Sequence, residues 1–70
     1  MKRLRKGADV QPPTYREIVA RLRREGFTKV AQVGSHAKYA KGDRTVAVGG
    51  TGDGRPPKGT WSNIQRQAGW

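Results

Sequence analysis

The sequence predicts an α+β domain with the order α-β-β-β-α, a three-stranded antiparallel sheet with two helices on one face. Three observations predict it. A helix-period apolar stripe follows a capping motif near residue 14. Three short runs of β-type residues then come in succession, separated by Gly-containing turns. A second helix-period stripe closes the chain. At 70 residues there is room for one small domain, near the lower limit for a self-sufficient core.

Residues 1–13 carry Lys2, Arg3, Arg5 and Lys6, then Gly7 and the Pro12-Pro13 pair. The prolines cannot continue a helix, and each pushes its predecessor toward extended backbone. This stretch is expected to be a flexible basic arm. Thr14-Tyr15-Arg16-Glu17 has the form of a capping box, in which the Thr14 hydroxyl accepts from the N3 amide and Glu17 reaches back to the Thr14 amide. Tyr15, Ile18, Val19 and Leu22 follow at i, i+3, i+4 and i+7, so the spacing predicts a helix over 15–25. Gly26 suits the left-handed position after it, with Phe27 folding back on Leu22.

From Phe27 to Val33 the composition turns to β-formers, and Gly34-Ser35 supplies a turn. His36–Ala40 forms the second expected strand. Lys41-Gly42-Asp43 makes a short hairpin loop, and Arg44–Val48 alternates as the third strand. Gly49–Gly59 holds five glycines and two prolines and reads as a plain, mobile loop. Thr60 is the expected N-cap of the last helix, whose inner edge is Trp61, Ile64 and Ala68. Gly69 ends it, and Trp70 folds back over Ile64. Tyr15, Tyr39 and both tryptophans are assigned to the core.

Charge narrows the function classes. Fifteen Lys and Arg against five Asp and Glu give a net charge of +10 and a pI near 11.3. Such a field attracts polyanions, of which nucleic acid is the commonest in a cell. No basic helix with a broad aromatic and Leu face argues for a membrane surface, and no apolar run is long enough for a membrane span or signal segment. With no cysteine there is neither a disulfide framework nor a Cys-containing zinc site, which fits a reducing cytoplasm. One histidine and few carboxylates make a poor metal-ligand set, so no metal or other cofactor is expected.

The single histidine, His36, is the most distinctive chemical group. Strand alternation puts Ala37 and Tyr39 on one face of the second strand and His36 and Lys38 on the other. Tyr39 is the larger apolar body, so its face should meet the helices together with Val46 and Val48. His36 and Lys38 then point to the open, solvent-facing side. From the residues alone, His36 is either a working imidazole or an ordinary surface one.

Three segments resemble the HicA (YcfA-like) toxins, bacterial mRNA interferases of type II toxin–antitoxin systems. The first is the helix running into Gly26-Phe27. The second is Gln32-Val33-Gly34-Ser35-His36-Ala37-Lys38-Tyr39, a Gly-Ser-His strand entry followed by an aromatic. The third is the closing Lys58-Gly59-Thr60 … Ile64 … Gln67-Ala68-Gly69 helix. The likeness spans residues 14–70, which would form a single HicA-like domain. It implies a double-stranded-RNA-binding-domain-like fold, His36 as the catalytic histidine of a metal-independent endoribonuclease, and inhibition by a HicB-type antitoxin that covers that residue. Many members carry Pro-x-His after the third strand, where this chain has Gly49-Gly50-Thr51, so a second imidazole is missing.

RNA carries its own nucleophile, the 2′-hydroxyl beside the scissile phosphate. An enzyme need only align it, take its proton and stabilise the developing charge. Imidazole suits the proton step because its reference pKa lies near neutrality. Lys38 is the expected phosphate contact, with Lys41, Arg44, Lys58 and Ser35 as further candidates for binding phosphate on mRNA or another single strand. With one histidine, water or a lysine must protonate the leaving oxygen, and slow turnover with little sequence preference is expected. The alternative is a non-catalytic RNA-binding module of the same fold, which would hold RNA through phosphates and cut nothing.

Overall fold

A computed structural model describes residues 11–70, so all but the last three residues of the expected arm lie outside the described part. Helix α1 (Tyr15–Arg24) starts where the capping box predicts. The Glu17 amide donates to the Thr14 hydroxyl at 3.1 Å, and the Thr14 amide donates to Glu17 Oε1 at 2.8 Å. At its other end Gly26 has φ +98°. The Phe27 and Gly26 amides return to the carbonyls of Leu22 and Arg23, the paired bonds of a Schellman ending.

Strands β1 (Thr28–Val33), β2 (His36–Lys41) and β3 (Arg44–Val48) form an antiparallel meander in the order β1-β2-β3. Both hairpins have two-residue loops: Val33 pairs with His36 across Gly34-Ser35, and Lys41 pairs with Arg44 across Gly42-Asp43. Gly34 and Gly42 take φ values of 60° and 58°, as tight hairpin turns require at their first central position. The β1–β2 register shifts between Lys29 and Ala31, which leaves Val30 at an irregularity.

Helix α2 (Lys58–Ala68) begins three residues before the position expected from Thr60 as N-cap. Pro57 is the N-cap instead, with ψ 160°, and its carbonyl accepts from the Trp61 amide at 2.8 Å. A proline just ahead of a helix sets the entry angle, and it gives the first amides of α2 no side-chain hydrogen bond. Thr60 lies inside the first turn. The helix closes at Gly69, φ +79°, with the Trp70 amide on the Gln65 carbonyl at 2.8 Å.

The two helices cover one face of the sheet. Ile18 and Leu22 of α1, Phe27, Tyr39, Val46 and Val48 of the sheet side, and Ile64 and Ala68 of α2 form one buried cluster, with Tyr15, Val19, Ala37, Trp61 and Trp70 packed around it. Trp70 does more than close α2. Its indole N–H donates to Glu25 Oε1 at 2.7 Å, and the Arg21 guanidinium lies 3.9 Å from its ring centroid. Arg21 Nε also bonds Glu25 Oε2 at 3.0 Å, so the end of α2 is stapled to the end of α1.

Of the Gly/Pro-rich stretch 49–59, expected as a plain, mobile loop, Lys58 and Gly59 belong to α2, and the part around Gly52–Gly54 is packed against α1. The Tyr15 amide donates to the Gly54 carbonyl at 2.8 Å and the Arg16 amide to the Gly52 carbonyl at 2.9 Å. With Thr14 serving Glu17, the first three amides of α1 are all satisfied, two of them by this loop. Arg16 pairs with Asp53 at 2.7 Å, and Pro56 is buried. Arg55 Nη1 donates to the Pro12 carbonyl at 2.5 Å, tying the stretch before α1 to the same loop.

Candidate active site on the open sheet face

The geometry of the site follows from the β1–β2 turn. Gln32 reaches over it: its Nε2 donates to the Gly34 carbonyl at 3.0 Å, and its Oε1 accepts from Lys29 Nζ at 2.5 Å. The two-residue turn makes His36 the first residue of β2, opposite Val33. Alternation then sends Ala37 and Tyr39 into the core side and His36 and Lys38 outward. Tyr39 is buried, whereas His36 and Lys38 are exposed.

His36 and Lys38 line one shallow groove of about 260 Å³ on the open face, together with Ala31, Val33 and Ala47. Lys38 stands in register with Ala31 on one side and Ala47 on the other. The imidazole lies against Gly49: a Cβ on that glycine would stand 3.3 Å from His36 Nδ1 and 3.4 Å from Cε1. The Nδ1–Cε1 edge of the ring is thus the one turned toward Gly49. Among the described residues no hydrogen bond or ion pair engages the side chain of His36 or Lys38, so both heads are available to a ligand.

The other candidates stand elsewhere. Ser35 lines a separate cleft of about 230 Å³ between α1, the sheet and the 50–52 loop, beside Tyr15 and Tyr39. Lys41 and Arg44 are at the far end of the second hairpin, about 17 Å along β2 from His36 at the usual strand rise. There Lys41 Nζ lies 5.9 Å from the Phe27 ring centroid, and Arg44 Nη1 donates to the Gln67 carbonyl at 3.3 Å. Asp43 and Glu25 share that hollow and offset its charge. Lys58 is exposed on the first turn of α2, at the end opposite the Gln67–Gly69 region that meets Arg44. Of the expected site residues, His36 and Lys38 line this groove, and Ser35, Lys41, Arg44 and Lys58 do not.

Two features of the site were not read from the sequence. Gly49 seats the imidazole, and Ala31 with Ala47 leaves low ground beside Lys38. Only small size marks these residues in the sequence, and small size by itself points nowhere. The sheet's two edges also differ. The Ala47 amide on the outer edge of β3 donates to Gln67 Oε1 at 3.0 Å, while β1 carries the two large apolar residues that are exposed among the described ones, Val30 at 59% and Val33 at 77%.

Among the described residues no three His, Asp or Glu side chains gather as a metal-binding group, and no helix is long and apolar enough to cross a membrane. In comparison with known proteins, a sequence model of the family described as HicA toxin of bacterial toxin-antitoxin matches residues 15–70. No curated protein matches the chain.

Proposed function

This chain belongs to the HicA family of bacterial toxin–antitoxin toxins, and we propose that it is an endoribonuclease whose general base is His36. The observation that carries the reading is the pairing of a free imidazole with a free lysine in one groove of a strongly basic domain. In this account Lys38 holds a non-bridging oxygen of the scissile phosphate. His36 Nε2 takes the proton of the adjacent 2′-hydroxyl, whose oxygen attacks phosphorus. The P–O5′ bond breaks, and the leaving oxygen takes a proton from solvent or from the imidazolium just formed. The products carry a 2′,3′-cyclic phosphate and a 5′-hydroxyl.

Charge developing on phosphorus is stabilised by the Lys38 ammonium. Lys41, Arg44 and Lys58 add to the positive field that draws RNA in but, like Ser35, stand outside the reacting groove. No step draws on a metal ion. Family membership implies an antitoxin partner. We place a HicB-type antitoxin over the His36–Lys38 groove, where it would exclude RNA.

The test compares labelled single-stranded RNA with the same sequence as 2′-O-methyl RNA, both in EDTA. Cleavage of the first alone, with cyclic phosphate ends, is the expected result. Cleavage of both, or of neither, contradicts the mechanism; tight binding of both without cleavage returns the chain to a non-catalytic RNA-binding role.

A further inference from the structure

The groove beside His36 is larger than a proton transfer requires. Its floor is made of Ala31, Val33 and Ala47, and its two tall walls are His36 and Lys38. Those walls leave the same strand two residues apart, about 6.8 Å at the usual rise. That is two van der Waals contacts of about 3.5 Å, the gap a single flat ring fills. At about 260 Å³ the groove falls just below the range of about 300–1,000 Å³ typical of drug-sized ligands. The cationic wall and the net charge of +10 favour a ligand whose flat apolar part is joined to phosphate.

We propose that this groove is a nucleobase subsite, holding the base of a nucleotide next to the phosphate on Lys38. It rests on the reading of single-stranded RNA as the ligand. The base lies over the alanine and valine floor between the imidazole and the lysine stem, and its sugar presents the 2′-hydroxyl to His36. The one long polar side chain at the rim, Gln32, is committed at both ends of its amide, to Lys29 and to the Gly34 carbonyl. The floor residues Ala31, Val33 and Ala47 carry no polar side-chain atom to read a base edge. The subsite therefore requires a base without choosing among the four, which gives weak sequence preference a structural cause.

The experiment measures equilibrium binding by the full chain at one fixed salt concentration. The probes are a short 2′-O-methyl oligouridylate, which cannot be cleaved through its 2′-oxygen, and an equally long abasic tetrahydrofuran-phosphate strand. Wild type is expected to bind the base-bearing strand about tenfold more tightly, the scale of burying roughly 50 Å² of apolar surface. Ala47→Leu and Ala31→Leu fill the floor from opposite strands at exposed positions. Either should erase that preference, and a matching circular dichroism melt identifies a folded variant. The adenylate, cytidylate and guanylate strands should bind within about threefold of the uridylate.

Equal affinity of wild type for both strands, or a preference that survives both leucine variants, overturns the subsite and leaves the groove to a side chain of the antitoxin. The nuclease reading fails separately. Base-dependent binding with no cleavage of plain RNA sinks the enzyme and keeps the subsite, while cleavage without base dependence does the reverse.

Discussion

Two adjacent glycines set the local geometry that the function depends on, and they do so in different ways. Gly49 lies under the imidazole, where a Cβ would press on Nδ1 and Cε1 at 3.3–3.4 Å. Gly49→Ala is expected to push the ring by a few tenths of an ångström, lowering kcat about three- to tenfold with KM and melting temperature nearly unchanged. Steady-state cleavage kinetics beside a thermal melt measure both. Gly50 instead meets the body of Tyr15, whose Cε2 would stand 2.3 Å from a Cβ. Gly50→Ala should cost about 1–3 kcal/mol through overpacking, read as a drop in Tm of about 4–8 °C per kcal/mol. Both glycines sit in a stretch whose composition says only "loop". Their roles depend on which side chain arrives from another element, and that is not encoded locally.

At the scale of elements, local signals were legible and tertiary ones were not. The Thr14 capping box, the Gly26 ending and the period-2 alternation of β2 each depend on residues within a few positions, and the structure has all three. The start of α2 differed because Pro57, fixed by its ring, capped the helix without a hydroxyl. The packed 49–57 loop and the Glu25–Trp70 staple join residues far apart in sequence, and no pattern announces them. Both carboxylates involved in the helix-end bonds have depressed pKa values. Glu17 is lowered by the Thr14 amide and hydroxyl, and Glu25 by the Trp70 indole and then Arg21. A carboxylate whose folded pKa lies below its unfolded value contributes stability above the unfolded pKa, and that contribution is lost as pH falls through the folded one. Melting temperature should therefore decline as pH drops below the ordinary glutamate value of 4.5. Glu25→Gln should flatten that decline, and melts between neutral and acid pH read the difference.

For the whole molecule, the asymmetry of the two sheet faces organises function. One face is closed by both helices over a single core, and the other is left bare with His36 and Lys38 on its central strand. That division was legible, because Tyr39 on β2 and Val46 and Val48 on β3 fix which side is inward. The placement of the remaining cations was not. Lys41 shares a strand with His36, yet strand length carries it to the opposite end, and Arg44 is held there by the end of α2. If RNA is held mainly through phosphates, log Kd should vary linearly with log salt, and Lys38→Ala should reduce the slope by about 0.7, one single-strand phosphate. The same substitution at Lys41 should weaken binding less than at Lys38, since it touches only the outer field.

The central claim is that His36 performs the chemistry. Incubation of one labelled RNA in EDTA with wild type, His36→Ala and Lys38→Ala tests it most directly. The account predicts that wild type cleaves and His36→Ala binds with similar affinity but does not cleave, while Lys38→Ala cleaves more slowly with weaker binding. Cleavage by His36→Ala at the wild-type rate would contradict it.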